Sequence, residues 1–405
     1  MAHLSIKNIG PIKEIDIELN RINIFIGPQS SGKSTVAKIV SFCQWLEKDC
    51  FLHQSVRHVD TAYVKRHLFN YFNMSSYANR KDAMFHYLGD GIEIEYSNEN
   101  VIVKMKPGFK TMQISKNLYL PSERNVLAIP GIFTTKMPDN YLLDFIDDWQ
   151  IIRTKYTSLS GHQILDLKES YFFDSHSNSD KLLLQDGDPI PLSESSSGLQ
   201  SVTPLCILID YTTDWIYSHE EDKSAYARKR YREAAIIRYL SNKMDNVEAL
   251  VDDINRTETT KLELLELEHN MSIPAFSNLI VEEPEQNLFP DTQVRLLYYI
   301  LSKINHSRDS LIITTHSPYI LYALNNCMLA SKVSGEDVAE VAESIDIPKA
   351  AWTDTADVSV WELDNGVIRG NATIQDDKGL IRGNYFDRVM HNVMADFHIL
   401  IDYSE

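Results

Sequence analysis

Residues 22–34 read Ile-Asn-Ile-Phe-Ile-Gly-Pro-Gln-Ser-Ser-Gly-Lys-Ser, a mostly apolar stretch that runs directly into a glycine-rich loop. From Gly27 onward this stretch fits the P-loop pattern G-x-x-x-x-G-K-[ST]. A glycine at each end lets the backbone turn so that successive N–H groups point inward at phosphate oxygens. Apolar residues at helical spacing follow, so the loop should meet the positive end of a helix dipole. The stretch therefore predicts an α/β fold of the P-loop NTPase kind, with a nucleotide-binding site.

Two side chains of this loop carry most of the predicted chemistry. Lys33 is expected to bridge the β- and γ-phosphates of ATP, and the Ser34 hydroxyl is expected to bind Mg²⁺. The remaining residues predicted to contact the nucleotide are Gly27, Pro28, Gln29, Ser30, Ser31, Gly32 and Thr35. A turn rich in glycine and serine but without a ligand is the alternative. The strand before the loop and the helical pattern after it disfavour that alternative.

Composition and charge limit the class of protein. The chain has 405 residues, of which 43% are hydrophobic and 24% charged, as in ordinary globular proteins. Its net charge of −18 argues against a broad grip on nucleic acid, although a local basic groove stays compatible with it. The four cysteines form no CxxC pair and no Cys/His cluster of metal-binding spacing, so reduced thiols are expected. With no signal peptide and no bilayer-length apolar run, a cytoplasmic location is expected.

A pair of adjacent carboxylates lies far from the loop in sequence. Residues 278–285 read Asn-Leu-Ile-Val-Glu-Glu-Pro-Glu, which predicts a buried strand that ends in acids. This is the Walker B arrangement, in which one carboxylate holds the Mg²⁺ and the next polarises the attacking water. We assign Glu282 to the metal and Glu283 to the general base, and the reverse order stays open. A strand that simply ends in solvated acids is the alternative.

A histidine follows the next predicted strand, residues 310–315, in the run His316-Ser317-Pro318. At the carboxyl end of a strand one step beyond the catalytic acid, His316 is placed to contact the γ-phosphate or the attacking water. A lone histidine is more often structural. Its position in this order of motifs favours a functional role.

Residues 193–200, which read Ser-Glu-Ser-Ser-Ser-Gly-Leu-Gln, open a predicted helix. Serines at a helix start can be nothing more than an N-cap. Hydroxyls and bare N–H groups at a helix start also make an anion site. Since one P-loop needs no second site of this kind for its own nucleotide, Ser196, Ser197 and Gly198 are predicted to reach the γ-phosphate held by another subunit.

In this succession the four motifs resemble those of the ABC-class ATPases of the SMC, Rad50, RecF and OLD-like branch. They are most similar to the stand-alone bacterial AAA15/AAA21 proteins, and the resemblance covers most of residues 1–330. It implies a two-lobed ATPase head with a helical insertion and an antiparallel β subdomain. It also implies that two head-to-tail subunits sandwich two ATP molecules, with Ser197 and Gly198 closing on the partner's loop. Arg124, after Leu120-Pro121, resembles a Pro-x-Glu-Arg element of this branch.

We predict a single ATPase head over residues 1–405. Its parts are an N-terminal lobe at 1–130, a helical signature lobe at 131–277 with an insertion at about 217–270, and a C-terminal part at 278–405. The carboxylates after His316 lack the Glu and Asp-x-Asp spacing of a Toprim nuclease. No intrinsic nuclease is therefore predicted.

The purpose of hydrolysis follows only from the resemblance. It implies a homodimeric or larger switch that controls a partner effector, a nuclease or toxin, in bacterial anti-phage defence. A DNA-repair or chromosome-maintenance head of RecF or SMC type is the first alternative. The cytosolic ATPase of a membrane transporter is disfavoured, because the region between Gln200 and Glu282 is too long for such a head.

One basic stretch bears on nucleic acid. Its cations are Arg228, Lys229, Arg230 and Arg232. Together with an interleaved tyrosine they form a concentrated positive segment that could bind nucleic acid. A solvated helix face paired with nearby glutamates is the more economical interpretation.

Overall fold

The structure is a computed structural model, which describes residues 2–80, 82–97, 100–185, 187–218, 232–233, 235–236, 274–304, 308–335 and 337–403. The predicted insertion at about 217–270 falls almost entirely outside these residues, as do Arg228, Lys229 and Arg230. Arg232 is described, and it is exposed. The prediction of a nucleic-acid-binding stretch therefore stays a prediction.

The strands are β1 (Ala2–Ile9), β2 (Ile12–Leu19), β3 (Ile22–Ile26), β4 (Met84–Leu88), β5 (Ile92–Ser97), β6 (Val101–Met105), β7 (Ser115–Leu120), β8 (His162–Gln163), β9 (Ser170–Asp174), β10 (Ser179–Leu183), β11 (Ile190–Pro191), β12 (Phe276–Glu282), β13 (Ser310–Thr314), β14 (Val358–Asp364) and β15 (Val367–Ile368). The helices are α1 (Lys33–His53), α2 (Thr61–Val64), α3 (Tyr141–Ile152), α4 (Ser197–Asp210), α5 (Ile216–Ser218), α6 (Pro290–Lys303), α7 (Pro318–Ala330), α8 (Asp337–Ser344) and α9 (Tyr385–Asp402). Two π-helical stretches extend α2 and α4, at Lys65–Asn70 and Tyr211–Trp215.

A large mixed sheet forms the centre of the described chain, in the order β6-β5-β4-β1-β2-β15-β14-β3-β13-β12-β7. One half, from β14 to β7, is parallel. The other half, from β6 to β2, is antiparallel. The carboxyl ends of parallel strands meet at one edge of a sheet, so the segments after β3, β7, β12 and β13 are brought together there. The antiparallel β subdomain predicted from sequence is confirmed.

A separate antiparallel sheet, β11-β10-β9-β8, lies in the middle of the sequence. Its central hairpin pairs Tyr171 with Leu182, both fully buried. This sheet lies within the helical signature lobe predicted at 131–277, at the place where the sequence also predicts a hairpin of residues 170–173 with 181–184. The described part of that stretch therefore combines helices with strands, because the alternating apolar residues of the hairpin have period two.

The strand before the P-loop packs helices on both of its faces. Ile22, Ile24 and Ile26 join the hydrophobic core formed with α4, α6 and α7, whereas Phe25 joins the core formed with α1. Successive side chains of a strand point to opposite faces, and a strand covered on both faces reads as a continuous apolar run. This burial explains why four of the five residues of β3 are apolar.

Helix α9 differs from the other long helices because its apolar side chains are exposed. Met390, Val393, Phe397 and Leu400 are between 50% and 68% exposed. Exposed apolar surface of this kind is what protein partners usually cover. Within the described ranges, no helix combines the length and the apolar character that a bilayer span requires.

Candidate functional site

The loop between β3 and α1 is held in a shape that its two glycines make accessible. Gly27 and Gly32 have φ values of +140° and +110°, a region that side chains with a Cβ rarely adopt. A Cβ on Gly27 would overlap the carbonyl oxygen of Leu363, and one on Gly32 would lie 2.7 Å from Ile12 Cγ1. Packing against Leu363 and Ile12 therefore favours glycine at both positions, whether or not a ligand is bound.

Lys33 is the first residue of α1 and points its ammonium into the loop. Its Nζ donates hydrogen bonds to the carbonyl oxygens of Gly27 at 2.9 Å and Pro28 at 2.8 Å. The residue is only 4% exposed. Burial lowers the pKa of Lys33 to about 8, while the charges of Glu283 and Glu285 act in the opposite direction. An incoming phosphate would supply the anion that this buried cation favours.

The other predicted nucleotide contacts are distributed between surface and interior. Gly27, Ser31, Gly32 and Thr35 are buried, Pro28 and Ser34 are half-buried, and Gln29 and Ser30 are exposed. Ser30 has a φ of +59°, which turns the loop at its exposed tip.

Glu282 ends β12 beside Ser34 and is nearly buried, with 3% exposure. Its Oε1 is buried without a hydrogen-bond partner. Burial raises the pKa of Glu282, while Lys38, Ser34 and Tyr119 beside it act in the opposite direction. A buried carboxylate oxygen next to a hydroxyl is the all-oxygen donor set that Mg²⁺ prefers. The two residues predicted to bind the metal therefore fit that ion.

Glu283, the next residue, has a φ of +44°. Its backbone N–H donates to the Thr314 carbonyl oxygen at 2.8 Å. A non-glycine residue in this region costs roughly 1–3 kcal/mol and persists only where surrounding contacts hold it. The conformation takes the Glu283 side chain out of the strand's alternation, and the side chain is 35% exposed. The carboxylate is therefore accessible to a water molecule.

His316 lies directly beside this carboxylate. Its Nε2 is 3.6 Å from Glu283 Oε1. Burial lowers the pKa of His316, the nearby Lys33 charge adds to the lowering, and Glu283 opposes it. A neutral imidazole at physiological pH can donate from one ring nitrogen and accept at the other. The three side chains Lys33, Glu283 and His316 thus share one electrostatic environment.

Glu285 has a role that the sequence reasoning missed. Its Oε1 accepts a hydrogen bond from the His316 backbone N–H at 2.5 Å. Burial raises the pKa of Glu285. The bond fixes the turn after β13 against the turn after β12. The second acid of the run Glu-Pro-Glu was visible in the sequence, but its partner is a backbone group that no pattern specifies.

Arg124 is fully buried and joins two elements of the site. Its Nη1 donates to the Glu282 carbonyl oxygen at 2.9 Å, and its Nη2 donates to the Glu283 carbonyl oxygen at 2.5 Å. Its Nε donates to Ser201 Oγ at 3.0 Å, on helix α4. Burial lowers the pKa of Arg124 to about 10, so it stays charged at neutral pH. Arg124 therefore positions the acid pair relative to α4.

Helix α4 begins at the serine-rich motif. The Ser196 side chain caps this helix by accepting from the Leu199 N–H at 3.3 Å, so the N-cap role holds for Ser196. Ser196 and Ser197 are exposed. A Cβ on Gly198 would lie 3.1 Å from the Asn287 carbonyl oxygen, which places the start of α4 against the loop after Glu285. Contact of these residues with a second subunit is a prediction that a single chain does not test.

The comparisons with known proteins come from structure alone. No protein-family model matches the chain, and no curated protein matches it. It is similar to the SMC head domain from Thermotoga maritima, at 11% identity over 79% of this chain and 90% of that chain, with a TM-score of 0.34. It is also similar to the recombination mediator protein RecF, at 13% identity over 90% and 96%, with a TM-score of 0.29.

A third similar structure is a dimeric ATP-binding cassette in a post-hydrolysis state, bound to ADP and Pi. It is 8% identical over 90% of this chain and 96% of that chain, with a TM-score of 0.29. Identities and scores this low say nothing about what this chain binds. The functional interpretation rests on the side chains at the carboxyl edge of the parallel sheet.

Proposed function

We propose that this chain binds ATP with Mg²⁺ and hydrolyses it to ADP and phosphate. One observation carries the proposal. The carboxyl ends of β3, β12 and β13 meet at one edge of the sheet, where the charge of Glu283 lies close enough to act on the pKa of Lys33 and on that of His316. A buried cation, an accessible carboxylate and a neutral imidazole are the groups that transfer of a phosphoryl group to water requires.

Each side chain has a distinct task in this proposal. Lys33 exchanges its bonds to loop carbonyls for the β- and γ-phosphates. Glu283 orients the attacking water and accepts its proton, and its partial exposure lets that water reach it. His316 steadies the same water or the γ-phosphate as a neutral donor. Mg²⁺, when held by Ser34 and Glu282, neutralises charge on the phosphates.

We also propose that the hydrolysing unit is a head-to-tail dimer of an ABC-type, two-lobed head. The exposed start of α4 supports this idea. Ser197 is exposed at the start of this helix, where its hydroxyl and the positive end of the helix dipole present an anion site to another molecule. Arg124 connects α4 to the acid pair of the same chain. Closure of α4 on the ATP of a partner subunit would therefore shift Glu283, the proposed base of the chain to which α4 belongs.

Mixing two inactive variants tests the composite site. Lys33→Ala removes the P-loop cation, and Ser197→Arg blocks the signature, so each variant alone should be inactive. In a mixed dimer one site combines an intact loop with an intact signature. An equal mixture should recover up to about a quarter of the wild-type rate, because half of the dimers are mixed and half of their sites are intact. The composite site would be contradicted if the mixture recovered no activity, or if Ser197→Arg alone were fully active. Neither result would contradict ATP binding by the single chain.

The dilution series of the wild-type protein provides an independent measurement. The hydrolysis rate per subunit should fall as the protein concentration drops below the dimer dissociation constant. A rate per subunit that stays constant down to a strictly monomeric sample would exclude a composite site.

For the purpose of hydrolysis, we propose control of a partner effector in anti-phage defence. The support is the resemblance of the four motifs, together with the apolar surface that α9 exposes. Glu283→Gln should bind ATP and remain closed, so proteins that co-purify with it only in the presence of ATP identify the effector. DNA-stimulated hydrolysis with no co-purifying protein would instead favour a repair or chromosome-maintenance head. Recovery with a membrane protein would favour a transporter subunit.

A further inference from the structure

Two imidazoles and a carboxylate meet at the carboxyl-terminal end of α1. Asp49 and His53 lie one turn apart on this helix, and His58 follows in the turn beyond it. One potential ligand atom of each residue lies within 4.8 Å of the other two. We propose that Asp49, His53 and His58 bind one divalent transition-metal ion of the zinc class. The nucleotide site takes no part in this binding.

The distances already approach those of a metal centre. Asp49 Oδ2 is 2.8 Å from His58 Nε2 and 3.4 Å from His53 Nδ1. Zinc bonds of about 2.0–2.2 Å in tetrahedral geometry hold ligand atoms about 3.3–3.5 Å apart. His53 Nδ1 also lies 2.9 Å from the Asp49 carbonyl oxygen, and metal binding would replace that hydrogen bond. The Asp49–His53 distance thus already matches that of two ligands on one ion, and the Asp49–His58 distance would lengthen by about 0.5 Å.

The charge balance of the cluster favours a cation. The Asp49 side chain is only 4% exposed, whereas those of His53 and His58 are 45% and 25% exposed. Burying a carboxylate is costly unless a positive charge or hydrogen bonds compensate for it. The negative end of the α1 dipole lies at the same place and also attracts a cation. Asp49 already accepts a hydrogen bond from Tyr63 and lies within hydrogen-bond distance of His58, and a divalent ion would add a full positive charge beside it. The exposed edge of His53 provides a path for its entry.

The donor set selects the type of ion. Imidazole nitrogens suit zinc, copper, iron and nickel, whereas Mg²⁺ and Ca²⁺ prefer oxygen ligands throughout. Three protein ligands leave a fourth tetrahedral position for water or a further ligand. This set differs from the oxygen donors of Ser34 and Glu282 at the other end of the same helix. The histidine cluster should therefore bind ions of the zinc class, and the oxygen donors at Ser34 and Glu282 should bind Mg²⁺.

Neighbouring side chains are arranged to orient the ligands. The Tyr63 hydroxyl donates to Asp49 Oδ2 at 2.7 Å. The Tyr63 ring packs against His58 with centroids 5.2 Å apart and against His67 at 4.2 Å. Hydrogen bonds to ligating carboxylates hold them in place in known metal sites. A metal here would fasten the turn after α1 to both α1 and α2.

Titration of the tag-free, full-length protein tests the proposal. The protein is first treated with EDTA and then titrated with Co²⁺, which reports tetrahedral coordination by its visible absorption. We expect one equivalent to bind per chain and Zn²⁺ to displace it. The double variant His53→Gln/His58→Gln should bind at least about 100-fold more weakly, since even residues that only orient ligands are worth about 10–100-fold in affinity.

Two controls separate this site from others. His86→Gln alters a histidine whose Nε2 lies 3.1 Å from Glu93 Oε1, a histidine–carboxylate pair outside the cluster, and should leave Co²⁺ binding unchanged. Glu282→Gln should also leave it unchanged, which excludes binding at the nucleotide site. The proposal is wrong if the wild-type protein takes up no Co²⁺, or if the double variant binds Co²⁺ as tightly. The wild-type titration needs no variant. A negative result there contradicts the proposal even if a variant fails to fold.

Discussion

The two ends of helix α1 carry opposite chemistry. At its start, the buried Lys33 ammonium gives a positive charge, and the helix dipole adds positive potential. At its end, Asp49, His53 and His58 converge where the dipole is negative. The helix has 21 residues, so its ends lie about 30 Å apart. One rigid element therefore separates a predicted phosphate site from a proposed metal site.

The ends differ in what builds them. The first is made of backbone and two glycines whose φ values permit the turn, so the spacing of residue types is strict and recognisable. The second is made of side chains on a helix and on the turn after it. Acid and histidine four residues apart occur on many helices, and only the fold carries His58 to the same point. A site that depends on backbone conformation thus shows a recognisable motif in the sequence. A site built from side chains that meet only in the folded chain shows no such motif.

The largest expected effect on this comparison comes from removing the proposed general base, Glu283. Glu283→Gln should lower the hydrolysis rate about 10²–10⁴-fold, while ATP affinity persists because Lys33 and the loop are unchanged. Phosphate release measures the first quantity and equilibrium nucleotide binding the second. Co²⁺ binding at the far end of α1 should not change. Turnover at the wild-type rate would mean that Glu282 or another group acts as the base.

Arg124 tests how strongly the nucleotide end depends on distant residues. Arg124→Met leaves the buried carbonyls of Glu282 and Glu283 without their donor, so the free energy of unfolding should fall by about 3–5 kcal/mol. Chemical denaturation measures this loss. Arg308→Met is the matched control, because its side chain is 44% exposed and pairs with Asp90 across 3.3 Å, and it should cost about 1 kcal/mol or less. Equal losses in the two variants would contradict the positioning role.

The pH dependence of ATP affinity tests whether Lys33, at the start of α1, binds phosphate in its protonated form. In the free protein Lys33 has a pKa of about 8, so above that pH it must take up a proton to bind phosphate as a cation. The affinity should therefore be constant below pH 8 and fall by up to about tenfold per pH unit above it. Equilibrium binding across this range measures the slope. Lys33→Met should bind weakly with no such slope, and an equal slope in that variant would exclude Lys33 as its source.

The smallest expected effect tests whether Ser196 contributes to hydrolysis as well as capping α4. Ser196→Ala removes an N-cap and should cost about 1 kcal/mol of stability. Asn140 caps α3, since its side chain accepts hydrogen bonds from the Leu142 and Leu143 N–H groups. Asn140→Ala should therefore cost a similar amount of stability. Only Ser196→Ala should also slow hydrolysis at saturating protein concentration. Equal activities of the two variants would restrict Ser196 to its structural role.

Much of the candidate nucleotide site was predictable because its parts are local. Each of β3, β12 and β13 is a short, largely apolar run, and Gly27, Glu282 and His316 stand at its end or within two residues of it. The strand and the candidate site residue are therefore found together in the sequence. The buried Arg124 was recognised only as a weak resemblance. Its partners are backbone carbonyls about 160 residues away in sequence, and any residue type supplies a carbonyl. Glu285 escaped prediction for the same reason.

From the order of amino acids alone follow the strand–loop–helix that begins at Ile22, the acid pair after the second apolar strand, and the histidine after the third. These are short segments whose backbone conformation and chemistry are set by neighbours in the chain. The pairing of β3 between β13 and β14, the clamp made by Arg124 and the meeting of His58 with Asp49 were decided only on folding. They depend on which faces are buried against one another, and burial is a property of the whole chain packed together.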